Sequence, residues 1–297
     1  MHILVSGLLN TETSAQVRGF PISYYPIDYP FFGVSTAVSG VAFNIAKALR
    51  ILGDDVRLNS MVGDDFAAAY IRDALEKLDI PTDRVKTALS QTPGSVVLYD
   101  PEGKRQIYCD LKDIQETPCG FDERILEGID LVAACNINFN RPLLRLAKEA
   151  GKVIATDVHV LYNVYDDYNR EFLQYADIVF LSDEGVGEDY RGFLCRLAEE
   201  YSPEIIVLGR GGKGAAIYQR ETGEIQALPA RSAGAVVNTV GAGDALFSGF
   251  LHFYAKGTPP VEALNLAQIF AAHKITVSGA SNGFVSEETV LEFARQM

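Results

Sequence analysis

The segment Asn238-Thr-Val-Gly-Ala-Gly-Asp244 holds the chain's clearest potential for chemistry. An apolar stretch from Val236 leads into Gly241-Ala242-Gly243. Leu246, Phe247, Phe250 and Leu251 then recur at helical spacing. Small residues at a helix start let unpaired backbone N–H groups approach a ligand, and the helix dipole adds to their pull, so this turn can hold an anion. Asp244 falls in the first turn of that helix. A carboxylate beside an anion hole is placed to take a proton from an attacking hydroxyl while the hole steadies charge on a transferring phosphoryl group. Taken alone, the same residues also read as a tight turn with Asp244 as a helix cap.

A second glycine-rich stretch, Gly209-Arg-Gly-Gly-Lys-Gly214, follows the strand-like Ile205–Leu208. It matches G-x-G-x-x-G, a pattern shared with dinucleotide-binding turns. Such a turn must open a helix, whereas Ala215–Tyr218 and Glu224–Leu228 read as strands around Thr222-Gly223. This disfavours a nicotinamide-dependent oxidoreductase. Lys213 is followed by Gly214, not Ser or Thr, which excludes a P-loop.

The elements around these stretches alternate. Strand-like runs occur at Ile3–Val5, Val56–Met61, Asp130–Ala134, Lys152–Ala155 and Ile178–Leu181. Helical patterns occur at Val41–Leu52, Phe66–Leu78, Pro142–Ala150, Tyr168–Tyr175 and Arg191–Tyr201. This order predicts an α/β fold: a mostly parallel sheet with helices on both faces. Two segments fall outside it. Gly94–Cys109 reads as a hairpin about Asp100-Pro101-Glu102-Gly103, and Phe20–Phe32 is crowded with aromatics and prolines. Both are expected in a small antiparallel flap. The aromatics have three readings: packing of the flap, a dimer contact, or a stacking surface for a base.

Composition excludes several classes. The net charge of −13 over 297 residues disfavours nucleic acid as a partner. No apolar run reaches the roughly 18 residues that span a bilayer. Met1–Gly7 lacks a basic segment and leads straight into a strand, so no leader is expected. The four cysteines show no C-x-x-C spacing and fit free thiols in a reducing cytoplasm. The four histidines are not spaced as metal ligands.

Asn238–Asp244 closely resembles the Asp-Thr-x-Gly-Ala-Gly-Asp motif of the PfkB, or ribokinase-like, carbohydrate kinases. Other segments resemble that family in the same order: Ser39-Gly-Val-Ala-Phe-Asn44 its sugar-binding turn, Val62-Gly-Asp-Asp-Phe66 its Val-Gly-x-Asp-x-Phe element, and Thr276–Ala280 its Gly-Ala segment. The resemblance implies a ribokinase-like three-layer sandwich with a small β lid, and ATP-dependent phosphorylation of a sugar or nucleoside. It implies Asp244 as catalytic base and Gly241, Ala242 and Gly243 as the anion hole. It places Asn10, Glu12, Gly40 and Asn44 on the acceptor, with Asn10 and Glu12 at the end of the first strand. It places Gly209, Gly211, Gly214 and Gln268 on ATP. Mg²⁺ would be held through water by Asp183 or Glu184, and a K⁺ site would include Asn238. The chain departs from the family pattern at Asn238 and Ser39, where Asp and Gly are usual, at Glu12 for Asp, and at Ser182–Gly185, where Asn-x-x-Glu is usual. A catalytically silent ligand-binding homologue therefore stays open. The expected organisation is one kinase domain over residues 1–297. Its lid comes from about residues 11–35 and 94–109 and pairs two copies into a homodimer.

Overall fold

The computed structural model describes residues 1–296, the Glu123 side chain excepted. The chain opens with β1 (His2–Ser6), β2 (Asn10–Gln16), β3 (Val34–Ser39) and α1 (Val41–Leu52). It continues through β4 (Asp55–Val62), α2 (Phe66–Glu76), β5 (Val85–Thr87), β6 (Gly94–Tyr99), β7 (Arg105–Asp110) and β8 (Leu131–Ala134). Next come α3 (Arg141–Glu149), β9 (Val153–Val160), α4 (Arg170–Tyr175), β10 (Ile178–Ser182), α5 (Tyr190–Tyr201) and β11 (Ile205–Gly209). The hairpin β12 (Ala215–Gln219) and β13 (Glu224–Leu228) precedes α6 (Ala242–Ala255), α7 (Pro260–Lys274) and α8 (Glu287–Arg295). Among the described residues no helix is long and apolar enough to cross a membrane.

A nine-stranded sheet runs β13-β12-β11-β10-β9-β8-β1-β4-β5, parallel except for the last hairpin. Successive strand side chains point to opposite faces, so a strand covered on both sides must be apolar throughout. Ile3 and Val5 enter the core with α1, α6 and α7, while Leu4 enters the core with α3, α4 and α5. Ile205 and Val207 divide from Ile206 and Leu208 in the same way. Helix ends follow local chemistry. The Asp65 carboxylate accepts the Ala68 N–H at 2.9 Å to cap α2, and Gly53 closes α1 with φ 99°.

A separate four-stranded sheet, β3-β2-β6-β7, forms the lid. Three sequence expectations are corrected here. Asn10 and Glu12 do not end the first strand; β1 stops at Ser6 and both residues lie in β2. The lid is not wholly antiparallel, since β2 pairs with β6 in parallel. Phe20–Phe32 contributes no strand; it is the connection between β2 and β3. Pro21, Pro26 and Pro30 there have no N–H to give a ladder. The hairpin is as expected: Asp100 Oδ1 accepts the N–H groups of Glu102 and Lys104 across its turn. β9 is longer than expected, because the polar Thr156 and Asp157 interrupt its apolar run without ending its pairing.

Candidate active site

The functional side chains gather at the carboxyl ends of the parallel strands, where open α/β sheets leave room for ligands. α6 is fixed on the sheet by Phe247 and Phe250, whose rings meet Phe180 edge-on at 5.0 and 5.4 Å. No side chain caps its N-terminus, which leaves first-turn N–H groups for a ligand. Gly241 has φ 78°, and a Cβ there would collide with the Ala280 carbonyl oxygen, so only glycine makes this turn.

Asp244 is buried, and Asn44 Nδ2 donates to its Oδ2 at 2.7 Å. Asn44 lies in the first turn of α1, which starts at Gly40. Gly40 takes φ 101° and packs so tightly on Leu8 that a Cβ would come within 2.5 Å of the Leu8 carbonyl oxygen. Asn10, at the base of the lid, donates to Ser95 Oγ at 3.3 Å, and Glu12 accepts from Ser39 Oγ at 3.2 Å. The Oδ1 atoms of Asn10 and Asn44 are buried without a partner. Buried acceptors are normally satisfied, so these two are ready for hydroxyl donors, and that of Asn44 belongs to the side chain that holds Asp244.

Asp157 and His159 were not singled out from the sequence. Asp157 Oδ2 lies 3.8 Å from where a Cβ of Gly243 would stand, and its Oδ1 accepts the His159 N–H at 2.8 Å. His159 has φ 58°, an uncommon backbone for a residue with a side chain. One signal was available: a charged residue inside a strand buried on both faces. From the lid, Arg105 Nη1 reaches Thr239 Oγ1 of the turn before α6 at 2.8 Å.

Burial pushes the Asp244 carboxyl up to about 6 and Asp157 adds to the rise, while the Asn44 hydrogen bond, His159 and Lys274 oppose it. Burial likewise pulls the Lys274 ammonium down to about 8, against Asp244 and Glu12. A base poised near neutrality suits proton removal at cellular pH. The ionised form is the base, so kcat/KM is expected to be level above about pH 6 and to fall tenfold per unit below it. A pH–rate profile checks this. Full activity retained at pH 4.5, with the protein folded, would be inconsistent with Asp244 as the titrating base.

A neighbouring cleft of about 440 Å³ is lined by Asp183, Glu184, Tyr190, Arg210 and Lys213. It brings the Ser182–Gly185 segment and the Gly209–Gly214 loop together. The Arg210 guanidinium lies over the Tyr190 ring at 4.1 Å, with its Nε unpaired. Gly209 faces Leu246 of α6, so the loop adjoins the first turns of that helix. β12 follows Gly214 directly, with no helix, which removes the dinucleotide-turn reading. Gln268 is buried in α7 with an unpaired Nε2, and α7 packs on β12. The carboxylates of Asp183 and Glu184 line this cleft together with Glu188, Arg210 and Lys213, and they are hard oxygen donors of the kind Mg²⁺ shares with phosphates.

The chain is similar to several known proteins. The fructosamine kinase of Bacillus subtilis is 23% identical, covering 87% of this chain and 89% of its own. The cytidine kinase of Thermococcus kodakarensis is 25% identical, covering 78% and 85%. The crystal structure of a putative ribokinase from Agrobacterium tumefaciens superposes with a TM-score of 0.88 at 22% identity, covering 99% and 97%. The family model for pfkB family carbohydrate kinases matches residues 2–287, nearly the whole chain. The chain belongs to the pfkB family of carbohydrate kinases.

Proposed function

We propose that this protein transfers the γ-phosphoryl group of ATP to a primary hydroxyl of a sugar or a sugar-containing small molecule. The observation that carries the reading is the Asn44–Asp244 contact at 2.7 Å beside the uncapped start of α6, together with the orphaned Oδ1 atoms of Asn10 and Asn44. Asp244 takes the acceptor proton, and the Gly241-Ala242-Gly243 turn receives the transferring group, chiefly through the Gly241 and Gly243 amides, since the Ala242 N–H donates to the Thr239 carbonyl at 3.2 Å. Asn10, Glu12 and Asn44 hold acceptor hydroxyls. Gly209, Gly211, Gly214 and Gln268 contact the nucleotide. Mg²⁺ neutralises phosphate charge when bound, and Asp183 and Glu184 would hold it through water. The lid, built on residues 10–39 and 94–110, covers the acceptor and excludes competing water. Its Arg105–Thr239 contact supports that closure. A panel of sugars and nucleosides assayed by ADP release tests the reading. Turnover of a polyol acceptor supports it, and no turnover of any member would leave a ligand-binding homologue.

The same reading includes a homodimer paired through the lid. Tyr24, Tyr29, Phe31 and Phe32 are 70% or more exposed, and Ile107 and Tyr108 of β7 are also bare. β7 is an edge strand with unpaired backbone groups. Large apolar side chains exposed together in one segment, as in residues 24–32, usually mark a contact, and a second lid related by a two-fold axis supplies a matching surface. Light scattering is expected to give a mass near twice 32.4 kDa, and Tyr108→Glu with Phe31→Glu is expected to return it to the monomer value. A monomeric mass for the unaltered protein removes this arrangement.

A further inference from the structure

Lys274 ends α7 with none of its surface exposed, a rare state for a lysine. Its Nζ faces the Asn238 carbonyl oxygen at 3.5 Å, and among the described residues no carboxylate lies within ion-pair distance. An ammonium sunk in protein without a partner carboxylate is costly, so its retention calls for a reason. Its surroundings supply one. The N–H groups of Val237 and Asn238 both donate to the Ile275 carbonyl, at 2.8 and 3.1 Å. The Ala280 carbonyl abuts Gly241, and Gly283 abuts the Lys274 main chain. These contacts tie the turn that carries the anion hole to the segment after α7, and Lys274 stands at the joint.

A monovalent cation at Asn238, which the family resemblance implies, does not fit these residues. Asn238 has no carboxylate charge. Its Oδ1 already accepts the Val240 N–H at 2.7 Å, and its carbonyl faces the ammonium. A metal ion bound there would lie against a like charge.

We propose that the Lys274 ammonium is a built-in cation for the anion-hole turn, positioning Asn238–Gly241 in place of a bound K⁺ ion, so that transfer does not depend on a monovalent cation. Lys274 is a positioning residue: it acts through the Asn238 carbonyl and through its field at Asp244. The inference rests on the phosphoryl-transfer reading above.

The test compares the protein in KCl, NaCl and tetramethylammonium chloride at equal ionic strength, by thermal unfolding and by ADP release with an accepted substrate. The expected result is one Tm in all three salts and rates within about threefold, since an ion that bound only the folded state would raise Tm. Lys274→Met keeps the volume and removes the charge. It is expected to lower kcat at least about tenfold with KM for ATP unchanged, because the anion-hole amides lose their placement. In Lys274→Ala, which opens space, KCl or NH₄Cl is expected to restore part of the rate where tetramethylammonium does not. A K⁺-specific rise in Tm, a larger K⁺-specific activation of the unaltered protein, or parental kcat in Lys274→Met would overturn the proposal. The salt comparison by Tm needs neither a folded variant nor a known acceptor. A failure of the kinase reading would instead appear as an absence of ADP release across the whole acceptor panel.

Discussion

Asp244→Asn is expected to lower kcat by about 10²–10⁴-fold, the usual contribution of a positioned general base, with ATP affinity little changed. The argument is local. The amide oxygen that replaces the carboxylate can still accept from Asn44 Nδ2, so the α1–α6 contact survives while proton acceptance is lost. Stability gives an independent check of opposite sign. The folded carboxyl is raised to about 6 by burial, so Asp244 contributes stability below its unfolded value near 4, and that contribution is lost as pH rises through about 6. At pH 7.5 the native protein carries an unfavourable buried charge, and the amide removes it. The variant should therefore unfold at the same temperature or higher at pH 7.5, with any advantage shrinking as the pH falls below 6. Rates of ADP release, calorimetric ATP binding and unfolding at both pH values test this. Near-normal turnover would take Asp244 out of its role.

Gly241→Ala is expected to be the most damaging exchange of a single hydrogen for a methyl group in the site. The left-handed backbone at φ 78° costs a residue with a Cβ about 1–2 kcal/mol by itself. The methyl would also collide with the Ala280 carbonyl oxygen, so the α6 start or the Ala280–Gly283 segment must shift. Donors that leave their aim at the developing charge cost about 10²–10³-fold in kcat. A loss of about 2 kcal/mol corresponds to a fall in Tm of roughly 4–8 °C for a domain somewhat smaller than this one. Gly243→Ala is the informative contrast. The nearest atom to its new Cβ is Asp157 Oδ2 at 3.8 Å, an ordinary contact, so its Tm should hold while, on the proposed function, the methyl crowds the transferring group and lowers kcat. Equal loss of Tm in both variants would mean that Gly241 holds no special place in the anion hole.

These two glycines show how far the sequence reaches. Gly241-Ala-Gly-Asp244 at the head of an apolar helical pattern announced an uncapped helix start and a carboxylate in its first turn, because both properties are local. The main sheet was legible for a similar reason. Strands buried on both faces must be continuously apolar, and Ile3–Val5, Ile178–Leu181 and Ile205–Leu208 are. Lid strand β2, Asn-Thr-Glu-Thr-Ser-Ala-Gln, carries no such mark. It is a strand only because β3 and β6 lie beside it, and pairing with a remote segment leaves no local pattern. The same limit hid Asp157, which a polar interruption of β9 disguised, and Lys274, which reads in sequence as an ordinary basic residue at a helix C-terminus.

By itself, then, the order of residues determined the α/β core, the helix that bears Asp244 and the turn that can hold an anion, all fixed by local conformation and periodic burial. Only the tertiary structure decided that Asn44, 200 positions away, holds the Asp244 carboxylate, that Arg105 of the lid touches Thr239, and that the ammonium of Lys274 lies against Asn238. Those contacts join segments far apart in the chain. Their existence depends on how packed helices and two sheets bring strand ends together, a property of the whole core and of no window within it.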